Sequence, residues 1–202
     1  VGATGTGKTT IMEVLTEAMS EESSNKDAKW KIHRLNPKAV ENEYLFIQKI
    51  GDTYILGVFT MIWKKCNESS SSYSKQNNWV VCDGPIDSIW IENLNTVLDD
   101  NKILTLSNNE RISMLDSCRL VMECENVKNA SLATVSRCGM IYITERDITY
   151  KPLITSWFKR NKDLLRDIKV KEDDLQKMID KLINENVEAE LFKLFNPCIE
   201  VS

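Results

Sequence analysis

Residues Gly2-Ala3-Thr4-Gly5-Thr6-Gly7-Lys8-Thr9 follow the spacing G-x-x-x-x-G-K-[ST]. Glycines at those steps let consecutive backbone N–H groups turn inward around phosphate oxygens, and a helix starting immediately afterwards adds the positive end of its dipole. In that arrangement Lys8 reaches the outer phosphates of a nucleotide, the Thr9 hydroxyl ligates Mg²⁺, and Thr10 lies in the first helical turn. The plainer reading is a Gly-Thr-rich turn ahead of a helix. Against it stands the stripe Ile11, Met12, Leu15 and Met19, at helical spacing over residues 8–19 with no internal Gly or Pro.

Such a loop needs an acid at the end of a neighbouring strand to hold the metal's water shell, and Asp83, closing the apolar run 79–83, is the candidate. Its alternative role is a turn or helix-capping acid after a strand. The residues that follow, Gly84 and Pro85, decide the chemistry. Cleavage of a bound nucleotide needs a group that orients and polarises the attacking water, and losing a general base costs on the order of 10² to 10⁴ in rate. Asp87 and Glu125 are nearby acids, but Pro85 turns the chain away and neither has the required spacing. The residues favour holding a nucleotide over cleaving it.

The elements that must position these groups alternate along the chain. After the 8–19 helix comes a polar loop (20–28), a strand ending at Pro37 (30–37), and short elements over 41–66 broken at Gly51-Asp52 and Gly57, which suggests a hairpin inserted in a helix. A low-complexity polar loop (67–78) precedes the strand of Asp83. Ile86, Ile89, Trp90, Leu94, Val97 and Leu98 mark a helical stripe, and 99–112 reads as a hairpin turning at Asn108-Asn109. Residues 119–124 and 138–143 are two further runs of strand length. Beyond Thr144 only helical patterns remain, over 151–166, 171–185 and 187–195, with Lys171-Glu172-Asp173-Asp174 as a helix start. The expectation is an α/β domain with a parallel sheet over 1–146 and a small all-helical domain over 147–202. Trp63, Trp79, Trp90, Trp157, Met61 and Met122 are taken as core.

At 202 residues and 42% hydrophobic side chains the chain can bury a core of its own. The 26 basic residues against 30 acidic give net charge −4, without the basic excess that nucleic-acid or anionic-membrane binding demands. His33 is the only histidine and the six cysteines form no C-x-x-C pair, which argues against zinc. Cys82, Cys124 and Cys138 lie in or beside apolar runs, as buried thiols of a reducing compartment do. No apolar run nears the roughly 18 residues that span a bilayer, so a soluble intracellular protein is expected. Because Val1 directly precedes the phosphate-loop motif, which normally follows a full strand, the chain reads as a piece that starts inside a domain.

Beyond the loop, the segments 35–40 (LNPKAV), 79–87 (WVVCDGPID), 90–106, 110–112 (ERI), 133–142 (ATVSRCGMIY), 151–157 (KPLITSW) and 191–200 occur in a characteristic order. Together they resemble the dynein heavy chain family, and within it the second of six AAA+ modules. The DGPID wording is more similar to axonemal than to cytoplasmic members. The resemblance implies a phosphate-loop AAA+ core with a helical lid, binding ATP or ADP with Mg²⁺. It also implies a ring of six modules with a linker across its face, intermediate and light chains in the full complex, microtubules bound by a distant stalk, and a home in the cytoskeleton of a cilium or flagellum. In that family the first module does the main hydrolysis and the second is thought to hold nucleotide. AAA+ ATPases carry a glutamate where this chain has Gly84. Arg137 matches the family's arginine finger, which reaches the nucleotide of the preceding module; by spacing alone it reads as a salt-bridging arginine at a strand start. Glu125, or Asn126 one step on, aligns with the polar sensor that contacts the γ-phosphate. A carboxylate there repels phosphate unless Mg²⁺ or Arg119 intervenes. The segments near 47–57 and 100–112 resemble inserts that face the linker.

Overall fold

The computed structural model of the chain describes residues 1–22, 29–68, 76–144, 146–148, 151–161, 173, 174 and 177. The chain divides by contact into two units, Val1–Ile143 and Thr144–Ser202.

The first unit is built on three parallel strands, β1 (Trp30–Leu35), β4 (Asn77–Asp83) and β7 (Cys118–Glu123), in the order β1-β4-β7. The apolar triplet Val80, Val81 and Cys82 in the central strand is at most 1% exposed, as expected of a parallel strand covered on both faces. Register pairs Arg34 with Val81 on one side and Asp83 with Glu123 on the other. The C-terminal ends of all three strands therefore lie side by side.

Helix α1 (Lys8–Glu22) starts at the phosphate-loop motif and continues three residues past the expected end. Residues Ile11, Met12 and Leu15 line an apolar cavity of about 610 Å³ together with Leu120, Met122 and Ile141. The core lies elsewhere, around α3 (Val58–Asn67): Phe59 stacks on Trp63 with ring centroids 5.6 Å apart, and Phe46 meets Phe59 at 5.4 Å. The expected hairpin insertion is present as β2 (Ile47–Ile50) and β3 (Thr53–Leu56), between α2 (Asn42–Leu45) and α3.

The 86–98 stripe forms two four-residue helices, α4 (Ser88–Ile91) and α5 (Asn95–Leu98), joined by a 3₁₀ turn at Glu92–Leu94. That change of pitch leaves Ile89 65% exposed while Trp90, Ile91, Leu94 and Val97 are buried. The following hairpin pairs β5 (Ile103–Thr105) with β6 (Arg111–Ser113), and its turn carries Asn109 at φ 63°, a left-handed conformation that asparagine tolerates better than most residues.

Three expectations need correction. Residues 138–143 do not form a regular strand. Ile143 N–H donates to Val1 O and the Val1 amine to Ile141 O, and a single partner residue cannot sustain a ladder. Met61 and Trp157 are not core, being 51% and 41% exposed. Among the remaining residues taken as core, Trp63 and Trp90 are buried, while Trp79 and Met122 are partly so.

In the second unit α7 (Lys151–Arg160) falls within the expected 151–166 helix. The helices expected over 171–185 and 187–195 lie outside the described residues, apart from residues 173, 174 and 177.

Candidate nucleotide-binding site

The phosphate-loop motif folds as its residue types demand. Gly5 and Gly7 adopt φ of 86° and 81°, a conformation that costs other residues strain, and Gly7 O accepts the first helical hydrogen bond from Ile11 N–H at 2.9 Å. Gly2 N–H is tied to Cys124 O beside the end of β7 (3.2 Å). Thr6, 5% exposed, braces the loop by donating its hydroxyl to Ala3 O at 2.9 Å. Ala3, Thr4 and Gly5 form the exposed crest, and Thr10 is exposed one turn into the helix. Lys8 Nζ donates to both Gly2 O and Ala3 O at 2.7 Å, which holds its charge across the loop.

Where the strands end, three side chains meet the loop. Arg34, from β1, donates through Nη1 to Asp83 Oδ2 (2.8 Å) and to Glu123 Oε2 (2.6 Å). Thr9 Oγ1 donates to the other oxygen, Glu123 Oε1, at 2.5 Å. Burial alone pushes the Arg34 guanidinium down, but its hydrogen bonds to the two carboxylates outweigh that and raise it above its ordinary value. Glu123 is the most enclosed member, its side chain 7% exposed against 42% for Asp83.

Several sequence expectations concern this end of the sheet. Thr9 and Asp83 do converge, linked through Glu123 and Arg34. The carboxylate beside Thr9 is Glu123. The strand stops at Glu123, leaving Glu125 exposed, and Asn126 turns its Oδ1 to Lys128 N–H (3.2 Å). Arg119 does not intervene either: it sits near the opposite end of β7, bonded to the carbonyls of Asp116 and Cys118. Asp87 pairs with Lys38 and caps α4 through Ile89 N–H, and those hydrogen bonds hold its carboxyl below the usual range.

Gly84 follows the strand at φ 156°, and a Cβ built there would lie 2.7 Å from Asn36 Oδ1. That oxygen is fixed, since it caps the turn at Pro37–Ala39 by accepting from Lys38 N–H at 2.9 Å. A side chain at this position would therefore be strained by the backbone and would have to displace Asn36 Oδ1.

Arg137 stands apart from these contacts. It caps α6 (Leu132–Ser136), pairs through Nε with Asp99, and donates from Nη1 to Ala133 O at 3.2 Å.

The donor set fits the group it resembles. Left-handed glycines, a lysine folded on loop carbonyls and a helix N-terminus suit phosphate oxygens, and a hydroxyl beside two carboxylates suits a hard cation such as Mg²⁺. Fold and site together define a phosphate-loop, nucleotide-binding α/β domain.

The sequence profile described as AAA domain (dynein-related subfamily) matches residues 1–138. This chain belongs to that family. Among curated relatives, the dynein gamma chain of the flagellar outer arm of Chlamydomonas reinhardtii is 42% identical over 162 residues, 79% of this chain and 3% of that protein. Human dynein axonemal heavy chain 8 is 40% identical over the same length, 79% of this chain and 4% of its own. Human dynein axonemal heavy chain 2 is 37% identical over 189 residues, 91% of this chain and 4% of that protein. The chain thus spans only 3–4% of these relatives' length.

Three contributors to the site, Arg34, Asn36 and Glu123, and the Arg137 partner Asp99 were not among the residues expected from sequence. Glu123 had a usable signal: the runs 79–83 and 119–123 both end in an acid at the same step, as strands in register do. Arg34, Asn36 and Asp99 had none, because their partners come from distant segments.

Proposed function

We propose that this chain is the second AAA+ module of an axonemal-type dynein heavy chain, holding Mg-ATP with little or no hydrolysis. Gly2 to Thr10 cradle the phosphates, with Lys8 on the outer ones, while Thr9 and Asp83 hold Mg²⁺, whose charge offsets that of the phosphates. Residues 147–202 form the helical lid. Arg137 serves as an arginine finger for the preceding module. The whole motor acts in microtubule-based movement in a cilium or flagellum. Its further contacts are the linker, intermediate and light chains, and microtubules through a distant stalk.

The observation that carries this reading is Gly84. The position that would carry a water-activating acid has no side chain, and at φ 156° with Asn36 Oδ1 2.7 Å from a built Cβ it is strained against acquiring one. A hydrolysing module would need another base, and Glu123 is the acid nearest the loop. Both of its oxygens already accept hydrogen bonds, from Thr9 and Arg34. The test is to load the full-length polypeptide with ATP, remove free nucleotide, and identify what stays bound in the parent and in Lys8→Ala. ATP retained by the parent and lost in Lys8→Ala supports the reading; ADP in its place means that this site cleaves what it binds.

A further inference from the structure

At the metal end of the proposed site the structure already holds a positive charge of its own. Arg34 reaches from β1 past the central strand, two strand spacings of roughly 4.8 Å each, to touch carboxylates on both β4 and β7. Its targets are not incidental: Asp83 and Glu123 are register partners at the ends of adjacent parallel strands. The third oxygen at this end, the Thr9 hydroxyl, is bound to the same Glu123. One guanidinium thus organises the hard oxygen donors through which a phosphate loop meets its metal.

We propose that Arg34 is a resident cation of the nucleotide site, compensating Asp83 and Glu123 so that nucleotide stays bound when Mg²⁺ is withdrawn. This rests on the nucleotide-holding reading and deepens it. The charge balance supplies the reason. Two carboxylates beside a triphosphate repel it; with Mg²⁺ absent, only a fixed positive charge at that point can offset them. Lys8 is bonded to Gly2 O and Ala3 O and to neither carboxylate. Arg34 Nη2 is itself buried and has no hydrogen-bond partner among the described residues, so the guanidinium is held here by its two carboxylates alone. Arginine suits the post because its guanidinium stays charged at any physiological pH and presents its donors in a fixed fork.

The plainer alternative is that Arg34 merely ties three strand ends together. Mg²⁺ dependence separates the two, since a structural tie affects binding equally with and without the metal. The experiment measures nucleotide retained by the full-length polypeptide, in Mg²⁺ and in EDTA, as the difference from Lys8→Ala so that other sites cancel. Parent protein, Arg34→Gln and the double variant Arg34→Gln/Glu123→Gln are compared, with thermal unfolding recorded for each. The parent should retain this nucleotide in both conditions. Arg34→Gln should lose at least about tenfold more retention in EDTA than it loses in Mg²⁺, the size expected for a charge-assisted contact. Removing the second carboxylate should restore retention in EDTA to within a few-fold of the parent.

A parent that releases its nucleotide in EDTA overturns the inference, as does an Arg34→Gln loss that is equal in both conditions or that the double variant fails to rescue. If no nucleotide above the Lys8→Ala background is found even in Mg²⁺, the nucleotide-holding reading fails and takes this inference with it.

Discussion

Two arginines of this molecule are held in opposite ways. Arg34 projects from a strand, three-quarters enclosed, and bonds to two carboxylates that sheet register places side by side. Arg137 caps a five-residue helix, its side chain is 35% exposed, and it has one acidic partner, Asp99, from a separate segment. Moving Arg34 would leave two acids facing each other at the strand ends, so its place is as fixed as the sheet itself. Releasing Arg137 frees one half-exposed carboxylate to water, a surface exchange that typically involves about 0–1 kcal/mol. On the proposed function, the difference separates a cation that serves its own site from one that can be given up to a neighbour.

The strongest way to break this comparison is Arg137→Ala. In the assembled ring, turnover by the preceding module should fall by roughly 10³ to 10⁵, as for arginine fingers elsewhere, while nucleotide retained by this module stays at the parent level. Loss of this module's own nucleotide would mean that Arg137 acts in cis. Trp63→Ala sharpens the comparison as its control: it opens the core at a fully buried side chain and should cost about 3–5 kcal/mol in chemical denaturation. Gly84→Ala should cost about 1–3 kcal/mol from backbone strain, with crowding of Asn36 added, and no gain in hydrolysis.

Smaller effects belong to the exposed pairs. Asp99→Asn should move the unfolding free energy by no more than about 1 kcal/mol, measured by denaturant titration, if Arg137 is as loosely held as its exposure indicates. The Lys64–Glu110 pair, also exposed, gives a pH signature. Its hydrogen bond from Lys64 holds the Glu110 carboxyl below the ordinary 4.5. A depressed folded-state value stabilises above the unfolded value and ceases to as pH falls through the folded one. The parent should therefore be slightly more stable than Glu110→Gln at neutral pH, the gap closing as pH falls from the ordinary 4.5 through the lowered folded value.

Sequence was most informative where structure is local. The phosphate loop, the helix behind it, the hairpin at Gly51-Asp52 and the turn at Asn109 each depend on a few neighbouring residues, and each was legible. It was least informative where register decides. Arg34 gives no local sign of its role, because nothing within its own strand shows that Asp83 and Glu123, 49 and 89 residues away, end beside it. Glu123 was passed over because the end of an apolar run fixes a strand's last residue only to within a step or two. The 138–143 run has the composition of a strand, but strand formation depends on a partner, which composition does not report. Met61 and Trp157 followed a periodic pattern that the packing leaves open to solvent.

The central claim is that this module keeps its nucleotide whole, and single-turnover phosphate release tests it most directly. Full-length parent and Lys8→Ala polypeptides are mixed with γ-labelled ATP and quenched over time, so that their difference isolates this site. The account predicts that the parent holds additional label as intact ATP, with no additional phosphate released. A burst of phosphate present in the parent and absent in Lys8→Ala would contradict it and identify a working hydrolytic site.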